Sequence, residues 1–147
     1  LFLGVTFNYG LILGWTSITG ELNVIPIIFY IGAIFWTLGY DTIYGYQDIK
    51  DDEIIGLKST SIKFKGTAKL FLIICYLILI FSLLIGGYLM NFNLFYFIFL
   101  IIPIVHLFLY QIKIFNSEDP NVCLKIFKSN NYFGFIIFIN IVIGKIL

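Results

Sequence analysis

The chain has 147 residues, of which 61% are hydrophobic, 20% aromatic and 12% charged, and its mean hydropathy is +1.03. Because soluble domains carry about 25% charged residues, this composition indicates a membrane protein. The net charge of +1 argues against a nucleic-acid partner, since binding to DNA or RNA depends on many lysine and arginine contacts to phosphate. The two cysteines are too few for a disulfide framework and lack metal-ligand spacing.

Five apolar runs, uncharged except for Lys145 in the last, predict membrane-spanning helices. A helix needs about 20 apolar residues to cross a hydrocarbon core about 30 Å thick. The runs are residues 1–19, residues 24–40, two runs between residues 70 and 112, and residues 132–147. We expect Gly86, Gly87, Asn91 and Asn93 to separate the third run from the fourth. The predicted fold class is therefore all-α, a polytopic transmembrane helical bundle with about five helices.

The lysines predict which side of the membrane the connections face. With five spans the connections alternate between the two sides, and every lysine except Lys145 falls on one side. Lysine-rich connections characteristically stay on the cytoplasmic side. The segment of residues 41–69, which is both acidic and basic, is therefore expected at the cytoplasmic face.

The acidic side chains are concentrated in one stretch, YDTIYGYQDIKDDE, at residues 40–53. On a helix with 100° between residues, Asp41, Tyr44, Asp48 and Asp52 project within about 80° of one another, whereas Glu53 points elsewhere. Converging carboxylates repel one another, so a compensating positive charge is expected beside them. A solvated helix end without function is the ordinary alternative for an acidic segment.

These carboxylates predict a metal-bridged phosphate site. Mg²⁺ characteristically binds one or two carboxylates together with substrate phosphate oxygens and water. The next segment, GLKSTSIKFKG, supplies Lys58, and a lysine ammonium can bind phosphate as a point charge. Lys63 and Lys65 are interpreted as topology signals alone.

Residues 38–64 resemble the second aspartate-rich motif of the UbiA superfamily of intramembrane prenyltransferases. Their sequence is LGYDTIYGYQDIKDDEIIGLKSTSIKF. They are most similar to the 4-hydroxybenzoate polyprenyltransferase branch of that superfamily. FKSNNYFG, at 127–134, is similar to the segment before the last helix of that family. The resemblance implies Mg²⁺-dependent transfer of a polyprenyl group from polyprenyl diphosphate to an aromatic acceptor, 4-hydroxybenzoate in this branch, in ubiquinone biosynthesis.

The resemblance also implies roles for individual residues. Asp48 and Asp52 would bind metal and diphosphate, with Asp41 as a further metal ligand. Tyr44 would be catalytic together with Asp48 and Asp52, as a residue that orients the substrate, and Lys58 would bind and orient the diphosphate. Asp51 has the weakest case among the carboxylates.

The same resemblance carries expectations for the whole protein. Residues 1–147 would be the C-terminal portion of one transmembrane domain, with the last five of nine helices. The first aspartate motif of the family, N-D-x-x-D-x-x-x-D, does not occur in this sequence, so the chain alone is expected to be inactive. The expected location is a bacterial inner membrane or a mitochondrial inner membrane, with the acidic motif facing cytoplasm or matrix.

Other functions remain open at this point. A related prenyltransferase could use another acceptor, such as a naphthoate or homogentisate. The aspartates could instead form a selectivity ring at the mouth of a cation channel or transporter. A non-catalytic membrane anchor, with the acids docked on a basic partner, is a third alternative.

Overall fold

The computed structural model describes residues 2–146, and every regular element in that range is helical. The elements in chain order are α1 (Phe2–Thr19), α2 (Val24–Tyr44), α3 (Ile49–Ile54), α4 (Thr60–Lys63), α5 (Ala68–Leu89), α6 (Leu94–Phe99), α7 (Ile101–Val105), a π-helix (His106–Ile112) and α8 (Pro120–Ile146). The predicted all-α class is confirmed.

Four segments of the described chain are long and apolar enough to cross a membrane, namely Val24–Tyr44, Ala68–Leu89, Leu94–Ile112 and Pro120–Ile146. The third of these comprises α6, α7 and the π-helix. α1 is helical where the first span was predicted, but it falls short of the four in apolar character because it carries residues such as Asn8, Thr16 and Ser17. The helices form a polytopic transmembrane bundle.

The boundary between the third and fourth predicted runs lies later than expected. Gly86 and Gly87 are inside α5, where a Cβ added to Gly87 would lie 2.2 Å from the Tyr96 ring. These glycines therefore admit neighbouring aromatic rings rather than ending a helix. The chain reverses at Asn91, which has a φ of 53°, and Asn93 caps α6 by accepting a hydrogen bond from the Tyr96 N–H at 3.1 Å.

The last helix begins well before residue 132, contrary to the prediction. The Asp119 side chain accepts hydrogen bonds from the N–H groups of Asn121 and Val122, at 3.0 and 3.2 Å. Pro120 suits the first turn of a helix because it lacks an N–H that would go unpaired there. The charges of Lys125 and Lys128 had suggested a connection, but both side chains are exposed on the first turns of α8.

α2 occupies the centre of the bundle and packs against α1, α5 and α8. Small residues bring α2 close to α5. A Cβ added to Gly32 would lie 2.7 Å from Ser82 Cβ, and one added to Gly39 would lie 2.8 Å from the Tyr76 ring. Such close backbone approach is typical of helix packing in membranes, and it places the acidic end of α2 within a well-packed frame.

Candidate active site

The acidic stretch begins on α2 and then turns sharply. α2 ends at Tyr44 and α3 begins at Ile49, so the prediction of one helical face through residue 52 is wrong. Gly45 caps α2, with its N–H bonded to carbonyls of the last turn. Tyr46 then points inward, with only 2% of its surface exposed and its ring 5.5 Å from that of Phe115. Burial raises the pKa of the Tyr46 phenol.

The segment after α3 is held against the end of α2. The Thr42 hydroxyl lies 2.6 Å from the Leu38 carbonyl and 2.6 Å from the Thr60 hydroxyl. Because Thr42 donates its single hydrogen to the carbonyl, it accepts a hydrogen bond from Thr60. A second contact between α2 and this segment lies at Gly45. The Ser61 hydroxyl packs so close to Gly45 that a Cβ added there would lie 2.3 Å from Ser61 Oγ.

A cavity of about 440 Å³, the acidic cavity, lies between α1, the end of α2 and this segment. All of the site residues proposed from the sequence line it, namely Asp41, Tyr44, Asp48, Asp52 and Lys58. Asp41 and Asp52 are half-buried, whereas Asp48 and Lys58 are exposed. Hydroxyl groups complete the polar wall, from Thr37, Ser59, Thr60 and Ser61. The turn at Gly45 thus brings to one cavity the side chains that a continuous helix was expected to align.

The other acidic residues of the stretch lie outside this cavity. Glu53 forms an exposed ion pair with Lys65, with Lys65 Nζ at 2.7 and 2.9 Å from the two carboxylate oxygens. Asp51 is exposed and is not part of the lining. The cavity therefore separates Asp41, Asp48 and Asp52 from the remaining acids.

The three aspartates share a wall but are not drawn together into a ligand cluster. Within residues 2–146, no three histidine, cysteine or acidic side chains are close enough to hold a metal ion. Their carboxylates have the hard oxygen donors that Mg²⁺ prefers. The assignment of metal to these aspartates stays a prediction.

A second, larger space lies beside the acidic cavity and is apolar. This apolar chamber has a volume of about 520 Å³ and is lined by side chains of α1, α2, α5 and α8, among them Leu11, Trp15, Phe29, Trp36, Leu79, Leu83, Phe133 and Ile137. Asn8 lines the chamber and donates hydrogen bonds to Thr37 Oγ1 at 2.7 Å and to the Gly4 carbonyl at 2.8 Å. Because Gly4 and Thr37 line the acidic cavity, the two spaces meet at Asn8.

A row of aromatic rings joins the two spaces. Trp36, which lines the chamber, has its ring centroid 5.4 Å from that of Tyr40 and 5.1 Å from that of Phe133. Phe127 continues the row, with its centroid 5.8 Å from Tyr40 and 4.6 Å from Tyr44. Since Tyr44 lines the acidic cavity, the row runs from the carboxylates to the apolar chamber.

Some contributors to this arrangement were missed in the sequence. Trp36, Tyr40 and Tyr44 are spaced four residues apart, which puts them on one helical face, so the aromatic row did leave a signal. Asn8 is a polar residue inside an apolar run and could also have been singled out. Phe127 gave no such signal, since its contacts with α2 cross more than 80 residues of sequence.

Together these features define a polytopic membrane protein with an acidic cavity beside an apolar chamber. The UbiA prenyltransferase family matches residues 1–141, and the chain belongs to this family.

Named relatives have similar sequences. The chain is 40% identical to 4-hydroxybenzoate geranyltransferase 2 of Lithospermum erythrorhizon, over 99% of this chain and 47% of the relative. It is 35% identical to the mitochondrial 4-hydroxybenzoate polyprenyltransferase of Dictyostelium discoideum, over 99% of this chain and 31% of the relative. It is 37% identical to the mitochondrial 4-hydroxybenzoate polyprenyltransferase of Bos taurus, over 99% of this chain and 39% of the relative. The chain thus spans about a third to a half of the length of these relatives. No solved structure matches it significantly.

Proposed function

We propose that the complete protein containing this chain transfers a polyprenyl group from polyprenyl diphosphate to 4-hydroxybenzoate, a step in ubiquinone biosynthesis. The observation that carries the proposal is the meeting of the acidic cavity with the apolar chamber at Asn8. A polyprenyl diphosphate has a long apolar tail for the second space and an anionic head that Mg²⁺ would bridge to the carboxylates of the first. The relatives named above are 4-hydroxybenzoate prenyltransferases, which supports this acceptor.

The diphosphate head would be held by the wall of the acidic cavity. The Lys58 ammonium is free of ion pairs in the described part of the chain and can bind phosphate as a point charge. Asp48 and Asp52, with Asp41, would hold Mg²⁺, which supplies positive charge against the departing diphosphate. Tyr44 stands at the end of the aromatic row nearest these groups and would orient the reacting end of the prenyl chain.

The chamber would serve the carbon chemistry. The bond between C1 of the prenyl group and the diphosphate oxygen breaks, and the electron pair leaves with the diphosphate. A ring carbon of 4-hydroxybenzoate attacks the allylic cation, and the ring then loses a proton. Aromatic faces stabilise a nearby cation, and an apolar chamber keeps water from competing with the acceptor.

The proposal extends to the placement of the chain. Residues 1–147 would form the C-terminal portion of one transmembrane domain, with residues 41–69 on the cytoplasmic or matrix side of a bacterial or mitochondrial inner membrane. The lysines of that segment favour this side. The chain on its own is proposed to be inactive, because the other aspartate motif of the family is not in this sequence.

The direct test uses membranes that carry the complete protein. They are supplied with polyprenyl diphosphate, Mg²⁺ and labelled 4-hydroxybenzoate, and the prenylated product is separated and counted. We expect product that disappears when Mg²⁺ is chelated and returns when it is restored. The same membranes with labelled naphthoate and homogentisate test the acceptor.

Each negative outcome has a distinct meaning. Product from naphthoate or homogentisate alone would overturn the acceptor and keep the prenyltransferase. A well-expressed protein that gives no product with any acceptor, but increases cation flux across vesicles, would overturn the enzyme proposal in favour of a transporter.

Gly45→Ala tests whether the contact between α2 and Ser61 shapes the diphosphate site. The new Cβ would lie 2.3 Å from Ser61 Oγ and 3.3 Å from Ser61 Cβ, so the Ser61 hydroxyl must leave its contact with Ser59 or the segment carrying Lys58 must move away from α2. We expect kcat/KM for polyprenyl diphosphate to fall by roughly 10-fold or more, since misplacement by about 1 Å can cost up to about 100-fold. Steady-state kinetics with the diphosphate varied would measure this.

Gly66→Ala is the matched control for this variant. Gly66 lies in the connection before α5, and a Cβ added there has no neighbouring atom within 4 Å. Its kinetics should equal those of the wild type. Equal kinetics for Gly45→Ala would show that the contact with Ser61 does not position the site.

A further inference from the structure

A buried polar network crosses the bundle beside the apolar chamber. Asn130 Oδ1 accepts hydrogen bonds from Trp36 Nε1 at 2.9 Å and from Gln111 Nε2 at 3.1 Å. The Tyr76 hydroxyl donates to Gln111 Oε1 at 2.5 Å. Gln111 and Tyr76 are fully buried and Asn130 is 6% exposed. The network therefore ties together α2, α5, the π-helix and α8 inside the membrane-spanning region.

The hydrogen bonds fix the orientation of the Asn130 amide. Its Nδ2 donates to the carbonyls of Ile126 and Phe127, at 3.1 and 3.3 Å. A flipped amide would turn its N–H groups towards the Trp36 and Gln111 donors and its oxygen towards two acceptors. In an apolar interior each unpaired group is costly, so the arrangement admits one orientation only.

The π-helix supplies Gln111 to this network. A π-helix has an i→i+5 pattern, and this spacing brings Gln111 Nε2 within 3.4 Å of His106 Nδ1, five residues earlier. Gln111 thus has partners on both amide atoms. Short π-helical segments inside helices frequently occur at functional sites. The position of Gln111 in such a segment is therefore consistent with a functional role for the network.

What the network holds is the indole ring of Trp36. Asn130 fixes its N–H edge, Phe133 and Tyr40 flank the ring, and Gly134 lets its far edge approach α8. A Cβ on Gly134 would lie 3.3 Å from Trp36 Cη2. The indole is therefore constrained at both edges while it lines the apolar chamber.

We propose that Asn130 and Gln111 are positioning residues that hold the Trp36 indole in the wall of the apolar chamber, where it shields the allylic cation from water. This inference rests on the proposed function. After the C1–O bond breaks, the cation has two fates. Attack by the acceptor ring gives prenylated hydroxybenzoate and a proton, whereas attack by water gives a prenol and a proton. A loosened indole opens the second route, so the ratio of prenol to prenylated product reports its position.

The first test is Asn130→Leu in membranes carrying the complete protein. Leucine has no acceptor for the Trp36 and Gln111 donors, so the indole loses its fixed edge. We expect the ratio of prenol to prenylated product to rise by about 10-fold, the order expected for a displacement below 1 Å. Because a ratio of products does not depend on the amount of folded enzyme, a lower yield of folded protein alone would leave it unchanged.

Asn140→Leu is the matched control. Asn140 lies on the same helix and is 2% exposed, but its side-chain amide has no hydrogen-bond partner in residues 2–146. The same substitution at the same depth of burial should keep the wild-type ratio. Equal increases for Asn130→Leu and Asn140→Leu would overturn the inference, because general loosening of α8 would then explain both.

A second perturbation reaches the indole without touching the network. Gly134→Ala adds a Cβ against Trp36 Cη2, and we expect it to raise the same ratio. In the double variant Asn130→Leu with Trp36→Phe, the ratio should match that of Trp36→Phe alone, since Asn130 acts through the indole.

The outcomes separate this inference from the proposed function. Wild-type membranes without prenylated product would remove the proposed function itself. An active wild type with unchanged ratios in both Asn130→Leu and Gly134→Ala would overturn the positioning role alone. If Asn130→Leu fails to accumulate, Gly134→Ala and Trp36→Phe decide the question.

Discussion

Asp48→Asn is expected to lower the rate of prenyl transfer by at least about 100-fold, the usual cost of removing one group that stabilises developing charge in a transition state. Asparagine keeps the size of the side chain and one oxygen but removes the negative charge that would hold Mg²⁺. Asp48 also lines the acidic cavity together with Asp52 and Lys58, so the substitution would act at the proposed diphosphate site. Initial rates with labelled 4-hydroxybenzoate, normalised to protein in the membrane, would measure the loss. Asp52→Asn should behave alike.

Glu53→Gln is the control that separates a specific site from general acidity. Glu53 is the neighbour of Asp52, but its carboxylate is bonded to Lys65 and does not line the cavity. Its removal subtracts the same unit of charge from the same surface, and an exposed ion pair contributes at most about 1 kcal/mol. We expect nearly wild-type transfer. A loss as large as that of Asp48→Asn would show that the net charge of the stretch, rather than the cavity, governs the activity.

Length and charge predicted the helices well, for a physical reason. Charged side chains are excluded from the hydrocarbon core, so the uncharged runs approximate the spans wherever charge marks the boundary. Where charge does not mark the boundary of a span, the predicted boundaries were wrong. Gly86 and Gly87 suggested a break, yet they serve close packing against aromatic rings within α5. Lys125 and Lys128 suggested a connection, yet both lie within α8. A helix can carry them there because their side chains are exposed on its first turns.

The sequence indicated which side chains would line one cavity, but not the shape of the segment that carries them. Asp41, Asp48, Asp52 and Lys58 are close in sequence, and short segments carry their own pattern of residue types. The turn after Tyr44 was missed because hydrophobic periodicity does not reveal that Tyr46 is a buried anchor. The contact between Trp36 and Asn130 spans 94 positions, and no local rule connects residues that far apart. Long-range polar contacts of this kind depend on how the helices pack.

Gly87→Ala is expected to destabilise the bundle more than other glycine-to-alanine changes in the chain. Tyr96 is fully buried and donates a hydrogen bond to the Leu83 carbonyl at 2.9 Å. A Cβ on Gly87 would lie 2.2 Å from Tyr96 Cε1, and one on Gly144 would lie 3.0 Å from the same residue. Tyr96 therefore fills a slot between α5 and α8 that exists only because both helices carry glycine there.

The balance of two opposing terms gives the size of the effect. Overpacking of a filled interior costs about 1 to 3 kcal/mol, while alanine gains up to about 1 kcal/mol over glycine in a helix. A net loss of about 1 to 2 kcal/mol should lower the melting temperature of the detergent-solubilised complete protein, at roughly 300 residues or more on the length of its relatives, by roughly 1 to 3 °C. Gly10→Ala, in α1, places its Cβ where no atom lies within 4 Å, so only the gain applies and its melting temperature should be unchanged or higher. Equal melting temperatures for the two variants would mean that the Tyr96 slot does not hold α5 against α8, and that the bundle can shift to admit a methyl group at no cost.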